Sequence, residues 1–206
     1  MFFWYHSIRN FCWAYFRIFH DLRHTGMRNL PAGGGYVIAS NHVSFYDPPA
    51  VGCGIPRETH YLARKTLFAP PIMDKLLPTL KAMPVDQDKP DMTGLKNMIG
   101  VLKSGDPVVL FPEGSRSYDG QLQEGLPGVG LLVAKAGVPV VPTRIFGARE
   151  AWPRDGKIKL WRPIEVVFGP PLDFSGSDEV KRKDYQAISN KIMAEIAKLR
   201  PETLPC

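Results

Sequence analysis

Tyr36-Val37-Ile38-Ala39-Ser40-Asn41-His42-Val43-Ser44-Phe45-Tyr46-Asp47-Pro48-Pro49 passes from an apolar run, through a polar turn, into a helix start. Residues 36–40 follow Gly33-Gly34-Gly35 and read as a buried strand. Asp47 before Pro48 is an N-terminal helix signature, with Asp at the N-cap and Pro at the first helical position, and the helix runs to about Cys53. His42 is thus predicted at the carboxyl end of a strand, with Asp47 one loop later. There the carboxylate can fold back on the imidazole, fix its tautomer and raise the basicity of the other ring nitrogen, as a general base requires. On these residues alone the alternative stays open that Asp47 merely caps a helix and His42 is an ordinary loop residue.

Outward from this stretch, apolar strands alternate with helical periods. Tyr61–Ala63 is a short strand, Pro70–Leu77 a helix ended by Pro78, and Ala82–Val85 another short strand. Asp91 caps a helix that buries Leu95, Met98, Ile99 and Leu102 and stops at Gly105. Pro107–Phe111 is a buried strand, Val129–Ala136 a helix closed by Gly137, and Val138–Pro142 the next strand. Residues 157–160 and 164–168 are expected to form a late antiparallel hairpin. Val180–Leu199 closes the chain as a helix with Tyr185, Ile188, Ile192, Ile196 and Leu199 inward. The alternation predicts an α/β fold with a mixed, mostly parallel sheet flanked by helices.

Residues 1–22 differ from the rest. Read as a helix, Trp4, Ile8, Phe11, Tyr15, Ile18 and Leu22 form one apolar stripe, with His6, Arg9, Asn10, Arg17 and His20 opposite. Charges are too frequent for a comfortable membrane span, and the pattern of a secretory signal is lacking. Trp and Tyr on an amphipathic helix fit the membrane interface, so 1–22 is read as a membrane-associated helix and 23–206 as the α/β domain. Packing of this helix on the domain's own core is the alternative. Phe19–Thr25 reads equally well as a first strand.

The chain has 206 residues and a net charge of +6, which suits one domain and an anionic partner. The basic residues are dispersed and no nucleic-acid-binding motif is present, so nucleic acid is not expected as a partner. The five histidines and three cysteines show no metal-ligand spacing. Cys12, Cys53 and Cys206 are odd in number and far apart, which favours a reducing compartment. Cys53 has no evident base beside it and is read as a core residue rather than a nucleophile.

A second polar loop leaves the strand at 107–111: Phe111-Pro112-Glu113-Gly114-Ser115-Arg116-Ser117. Loops beyond the carboxyl ends of neighbouring parallel strands build the site in open α/β sheets. Here they bring a His–Asp pair to face a Glu–Arg pair. Arg116 offers planar, bidentate donors to an anion. Glu113 can hold that Arg or accept from a substrate hydroxyl. A local Glu113–Arg116 salt bridge without substrate is the alternative.

With both loops in view, the sequence resembles the lysophospholipid acyltransferase family, which contains the 1-acylglycerol-3-phosphate and glycerol-3-phosphate acyltransferases. Residues 41–47 match its NHxxxxD motif. Residues 111–117 resemble its FPEGTRS motif, with Ser115 for Thr. Residues 26–31 resemble its GxENLP lead-in, with Arg28 where Glu is common, and residues 138–142 its last motif. One departure is plain. The run that usually ends in an Arg thought to bind the acceptor's phosphate is Val85-Asp86-Gln87, which brings no charge.

The resemblance implies phospholipid biosynthesis: a fatty acyl group moves from acyl-CoA or acyl carrier protein (acyl-ACP) to a hydroxyl of 1-acylglycerol-3-phosphate or a related lyso-lipid. His42 and Asp47 would be catalytic. Glu113, Gly114, Ser115, Arg116, Lys65 and Gln87 would bind substrate, with Lys89 a further source of positive charge. Ser44 is read as a turn residue. Backbone amides near Gly114, or a basic side chain, would hold the oxyanion. No metal and no cofactor beyond the co-substrate thioester is expected. Membrane lipids would be the partners, at the cytoplasmic side of the cell membrane, with the protein peripheral or monotopic. The rival readings are an acyl-CoA thioesterase using the same His–Asp pair and an acyltransferase for a non-phosphate, lipid-like alcohol. Oligomeric state is not readable.

Overall fold

The structure, a computed structural model, describes residues 2–86 and 91–204. Helix α1 (Phe2–His20) ends where Asp21 takes a left-handed φ of 41°. Strand β1 (Arg23–Thr25) follows directly, so the two readings of residues 19–25 each hold for one half. Then come β2 (Val37–Ser40), α2 (Asp47–Cys53), β3 (His60–Arg64), α3 (Pro71–Thr79), β4 (Ala82–Val85), α4 (Met92–Lys103) and β5 (Val108–Leu110). The last third comprises α5 (Pro127–Ala136), β6 (Val140–Phe146), α6 (Ala148–Ala151), β7 (Glu165–Phe168), α7 (Asp178–Arg182) and α8 (Tyr185–Lys198).

Among the described residues, seven strands form one sheet in the order β1-β7-β6-β2-β5-β3-β4. All neighbours are parallel except β6 and β7, so the sheet is mixed and mostly parallel, as expected. β2 lies at its centre and every residue of it is buried. Pro84 sits in β4, an edge strand, where a missing N–H leaves one side of the ladder intact.

Alternate residues of the central strands serve two cores, as a period of two requires. Ile38, Val109 and Val141 face a layer containing Phe16 of α1, Ala50 and Val51 of α2, and Ala148 of α6. Val37, Ala39, Val108 and Leu110 face the other layer, with Met98 and Leu102 of α4, Leu132 and Val133 of α5, and Ile188, Ile192 and Ile196 of α8.

Two expectations are corrected. The predicted hairpin does not form: β7 is paired on one edge with β1 and on the other with β6, so no edge is left for residues 157–160. Within that segment the Lys159 N–H instead donates to the Ala151 carbonyl at 2.7 Å, and the residues after it meet the end of α1, where the Trp161 N–H donates to the Phe19 carbonyl at 2.8 Å and the Ile164 N–H to that of His20 at 2.9 Å. The last helix is broken. Lys183 has φ 57°, and Asp184 caps α8 by accepting from the Ala187 N–H at 3.0 Å.

The faces of α1 divide between the body and the outside. Trp4, Phe11 and Ile18, seven residues apart, are 63%, 72% and 61% exposed, whereas Tyr5, Phe16 and His20 are buried. The Thr59 N–H donates to Tyr5 Oη at 3.0 Å, Arg9 Nη1 to the Ile55 carbonyl at 3.1 Å, and His20 Nδ1 meets the Arg162 carbonyl at 2.9 Å. The helix thus turns part of its predicted polar side to the body and leaves much of its predicted apolar stripe outside. It is aromatic around most of its girth, so spacing alone could not choose the inner face.

Candidate active site

β2 and β5 are adjacent and parallel, with Val37, Ile38 and Ala39 beside Val108, Val109 and Leu110. The helix after β2 covers one face of the sheet, and the helix after β5 covers the other. The two connections therefore part at the carboxyl edge and open a crevice between them, the switch point of an open α/β sheet. Residues 41–47 form one wall and residues 111–117 the other.

On the first wall, His42 Nδ1 lies 2.8 Å from Asp47 Oδ2. The same carboxylate oxygen accepts the N–H groups of Val43 at 2.6 Å and Ser44 at 2.8 Å. Asp47 is fully buried and begins α2, but its carboxylate points back into the loop rather than capping the helix. A carboxylate on Nδ1 makes that nitrogen the N–H donor and leaves the lone pair on Nε2, the form needed to accept a proton. The imidazole lies flat against the Phe111 ring, with centroids 4.0 Å apart at 18°. Ser44 is more than a turn residue. Its buried hydroxyl donates to the Trp152 carbonyl at 2.7 Å and accepts from the Tyr46 N–H at 3.0 Å. Asn41 bridges to β6, giving Nδ2 to the Ile145 carbonyl at 3.2 Å and taking the Ile145 N–H on Oδ1 at 2.8 Å.

On the second wall, Glu113 is buried. It accepts the His42 N–H on Oε1 at 2.9 Å and the Gln123 N–H on Oε2 at 3.3 Å. Burial pushes its carboxyl up to about 7, against the pull of these two amides and with a further push from the Asp47 charge. Glu113 thus holds backbone and forms no salt bridge with Arg116 among the described residues. Gly114 takes φ 70°, a left-handed turn that favours glycine, and its N–H donates to the Phe111 carbonyl at 3.0 Å. That amide is committed to the turn. Ser115 is exposed. The Ser117 N–H donates to the His42 carbonyl at 2.8 Å, so the two walls are sewn together on both sides of the base's backbone.

Arg116 reaches across to the first wall. Its Cζ lies 3.5 Å above the Phe45 ring, and its Nη1 is buried without a hydrogen-bond partner. Burial and then the charge of Arg154 lower its pKa, while the charges of Asp155 and Asp47 act the other way. Trp152 and Arg154 escaped the sequence reading. Arg154 Nη1 donates to the Arg116 carbonyl at 2.6 Å, and the Trp152 ring rests on Phe45 and Tyr46 with centroids 5.0 Å away in each case. Nothing in their local sequence signals this, because both arrive from the far side of β6.

Lys65 stands at the carboxyl end of β3, on the same edge of the sheet but one strand beyond β5, and is exposed. Its charge bears on Asp91. Gln87 and Lys89 lie outside the described residues. Among the described residues, no group of three or more His, Cys, Asp and Glu side chains is placed to hold a metal ion.

The residues from 21 to 146 match the model of the family described as Acyltransferase. The chain belongs to this acyltransferase family. An acyl-transferring enzyme is what the resemblance of the two motifs implied. A 1-acyl-sn-glycerol-3-phosphate acyltransferase of Bacillus subtilis is 36% identical over 149 residues, which cover 70% of each chain. The protein of the same name from Streptococcus pneumoniae is 28% identical over 170 residues, 82% of this chain and 61% of its own. The chain spans about half the length of a chloroplast relative from Arabidopsis thaliana, 48% of it at 29% identity. The fold matches the crystal structure of the 1-acyl-sn-glycerophosphate acyltransferase PlsC from Thermotoga maritima. The TM-score is 0.74, over 96% of this chain and 81% of that one, at 24% identity.

Proposed function

We propose that this acyltransferase moves a fatty acyl group from acyl-CoA or acyl-ACP to the free hydroxyl of 1-acylglycerol-3-phosphate or a closely related lyso-lipid. The observation that carries this reading is the 2.8 Å contact of His42 Nδ1 with Asp47 Oδ2 at the mouth of the β2–β5 crevice. The names of the relatives support the acceptor.

In this mechanism the acceptor hydroxyl lies against His42 Nε2. As its oxygen attacks the thioester carbonyl, Nε2 takes the proton and the imidazolium is held by the Asp47 carboxylate. The tetrahedral intermediate collapses, the carbon–sulfur bond breaks, and the imidazolium protonates the departing thiolate. The acceptor is itself the nucleophile, so no acyl-enzyme is required. The scheme uses no metal and no cofactor beyond the co-substrate thioester. Phe111 walls one face of the imidazole. Arg116 supplies a cation for the headgroup, and Lys65 another charge further along the edge; Gln87, by its side-chain chemistry, would add a neutral hydrogen-bonding group.

Both lipids live in a bilayer, and α1 is the element suited to meet it. Among the described residues no helix is long and apolar enough to cross a membrane. Trp4, Phe11 and Ile18 would lie in the interface, with Trp161, which meets Phe19 at a tilt with centroids 5.5 Å apart. The inner face of α1 joins this region to the site, since Tyr15 Oη is 2.7 Å from Tyr46 Oη in the first wall. Residues 1–22 would thus be the membrane-associated helix of the α/β domain, on the cytoplasmic side where acyl thioesters are made.

The test is product analysis with purified protein, lysophosphatidate and acyl-CoA or acyl-ACP. Diacylated product is expected, with a loss of about 10²- to 10⁴-fold for His42→Ala. Free fatty acid as the sole product, or an unimpaired His42→Ala variant, would overturn the reading.

A further inference from the structure

We propose that Arg154 is a specificity-determining residue that joins Arg116 in a two-guanidinium clamp for the phosphate of the acceptor headgroup. The proposal rests on the acyltransfer reading above for its acceptor, but its residues come from the geometry. Arg154 lies outside both sequence motifs and outside the residues 21–146 matched to the family. The fold nonetheless brings it to the catalytic loop. The hydroxyl of Ser44, two residues from the base, anchors the Trp152 carbonyl, and Arg154 follows two residues later.

Each guanidinium lies over an aromatic ring, Arg116 Cζ 3.5 Å from the centroid of Phe45 and Arg154 Cζ 3.9 Å from that of Tyr118. A cation–π contact of this kind uses none of the N–H donors of the fork. Arg154 uses Nη1 on the Arg116 carbonyl, which ties the two residues together. Among the described residues neither forms a salt bridge with a carboxylate. Their like charges oppose one another, and Arg116 keeps a buried Nη1 with no partner. Asp155 and Asp47 offset the repulsion without a direct contact.

Among the described residues no carboxylate contacts either fork directly, and Asp155 and Asp47 act on Arg116 only at a distance. A dianionic phosphate would supply that direct contact and accept the unused N–H groups of both forks. Gln87 brings no charge, so Arg154 would provide the second cation of the headgroup site.

The test has two arms on the full chain in detergent. In the first, the arginine Nε–Hε resonances are followed as inorganic phosphate is added. Arg116 and Arg154 are expected to shift with one common saturation curve. Arg154→Gln should weaken phosphate binding about tenfold or more, and Arg154→Lys less. In the second arm, KM is measured for lysophosphatidate, monoacylglycerol and acyl-CoA. Arg154→Gln should raise KM for lysophosphatidate about tenfold and leave the other two near their original values. Unaltered phosphate titration in Arg154→Gln would overturn the clamp. So would an equal loss of rate with phosphate and neutral acceptors, which marks a bracket for the loop rather than a ligand. The titration needs no turnover. A chain that binds phosphate through both arginines yet transfers no acyl group keeps the clamp and loses the acyltransfer reading; one that transfers but titrates identically without Arg154 does the reverse.

Discussion

The His42 N–H donates to Glu113 Oε1 at 2.9 Å, so a carboxyl group after one strand fixes the backbone of the base after its neighbour. This is a positioning contact, because Glu113 touches the main chain of His42 and not its imidazole. Its cost is electrostatic. The carboxyl titrates near 7 in the folded protein, well above an ordinary Glu. A raised folded value means the neutral form is favoured by folding. The contribution of Glu113 to stability is therefore full below about 4.3 and is lost as pH rises through about 7. Denaturation of wild type and Glu113→Gln at pH 5 and pH 8 should show a steeper fall for wild type, with a difference on the order of 3 kcal/mol. Parallel profiles would contradict the assignment.

Asp47 separates catalysis from folding. Asp47→Asn keeps an oxygen that can accept the Val43 and Ser44 N–H groups but removes the charge that stabilises an imidazolium. We expect kcat to fall by about 10²-fold or more with a small change in Tm. Asp47→Ala also strands two buried N–H donors and should lose about 1–3 kcal/mol for each. Chemical denaturation beside initial rates distinguishes the two variants, and equal stability losses would count against the three-donor arrangement.

Ser44→Ala removes a buried hydroxyl that both donates to the Trp152 carbonyl and accepts from the Tyr46 N–H. The expected loss is about 1–3 kcal/mol, read by calorimetry. A neutral effect would return Ser44 to the role of a simple turn residue.

The outer face of α1 should matter for lipid and not for folding. Phe11→Glu with Ile18→Glu alters exposed positions and is expected to leave stability within about 0.5 kcal/mol while reducing co-sedimentation with anionic vesicles. Phe16→Ala, on the buried face, should instead destabilise by about 3–5 kcal/mol. Unchanged sedimentation of the double variant would remove α1 from the membrane.

The legible parts of the molecule were those decided by short-range chemistry. An apolar run between glycines and a polar loop can only be a buried strand, and an Asp five residues from a His can fold back on it. The strands within residues 36–40 and 107–111 therefore read correctly, and with them the edge of the sheet from which the two loops leave. What could not be read depends on contacts between distant segments. β7 was assigned as a strand but with the wrong partner, because one neighbour, β1, lies at the other end of the chain and the other, β6, precedes the segment expected to pair with it. Glu113 was identified by type, yet whether its oxygens meet an arginine or two amides is settled only when the loops close. Arg154 gave no local signal. The inner face of α1 was left open because aromatic residues occupy nearly every direction around it.

The seam at one edge of the sheet has a consequence for how the chain is made. β1 pairs with β7, and His20 at the end of α1 meets Arg162, 142 positions further along. A ribosome adding about 5–20 residues per second needs roughly 7–30 seconds to supply that stretch. Throughout that interval the aromatic helix has left the exit tunnel without the strand that seats it. A nascent chain in this condition either finds a lipid surface or remains exposed to chaperones, so synthesis beside a membrane would favour correct closure of the sheet.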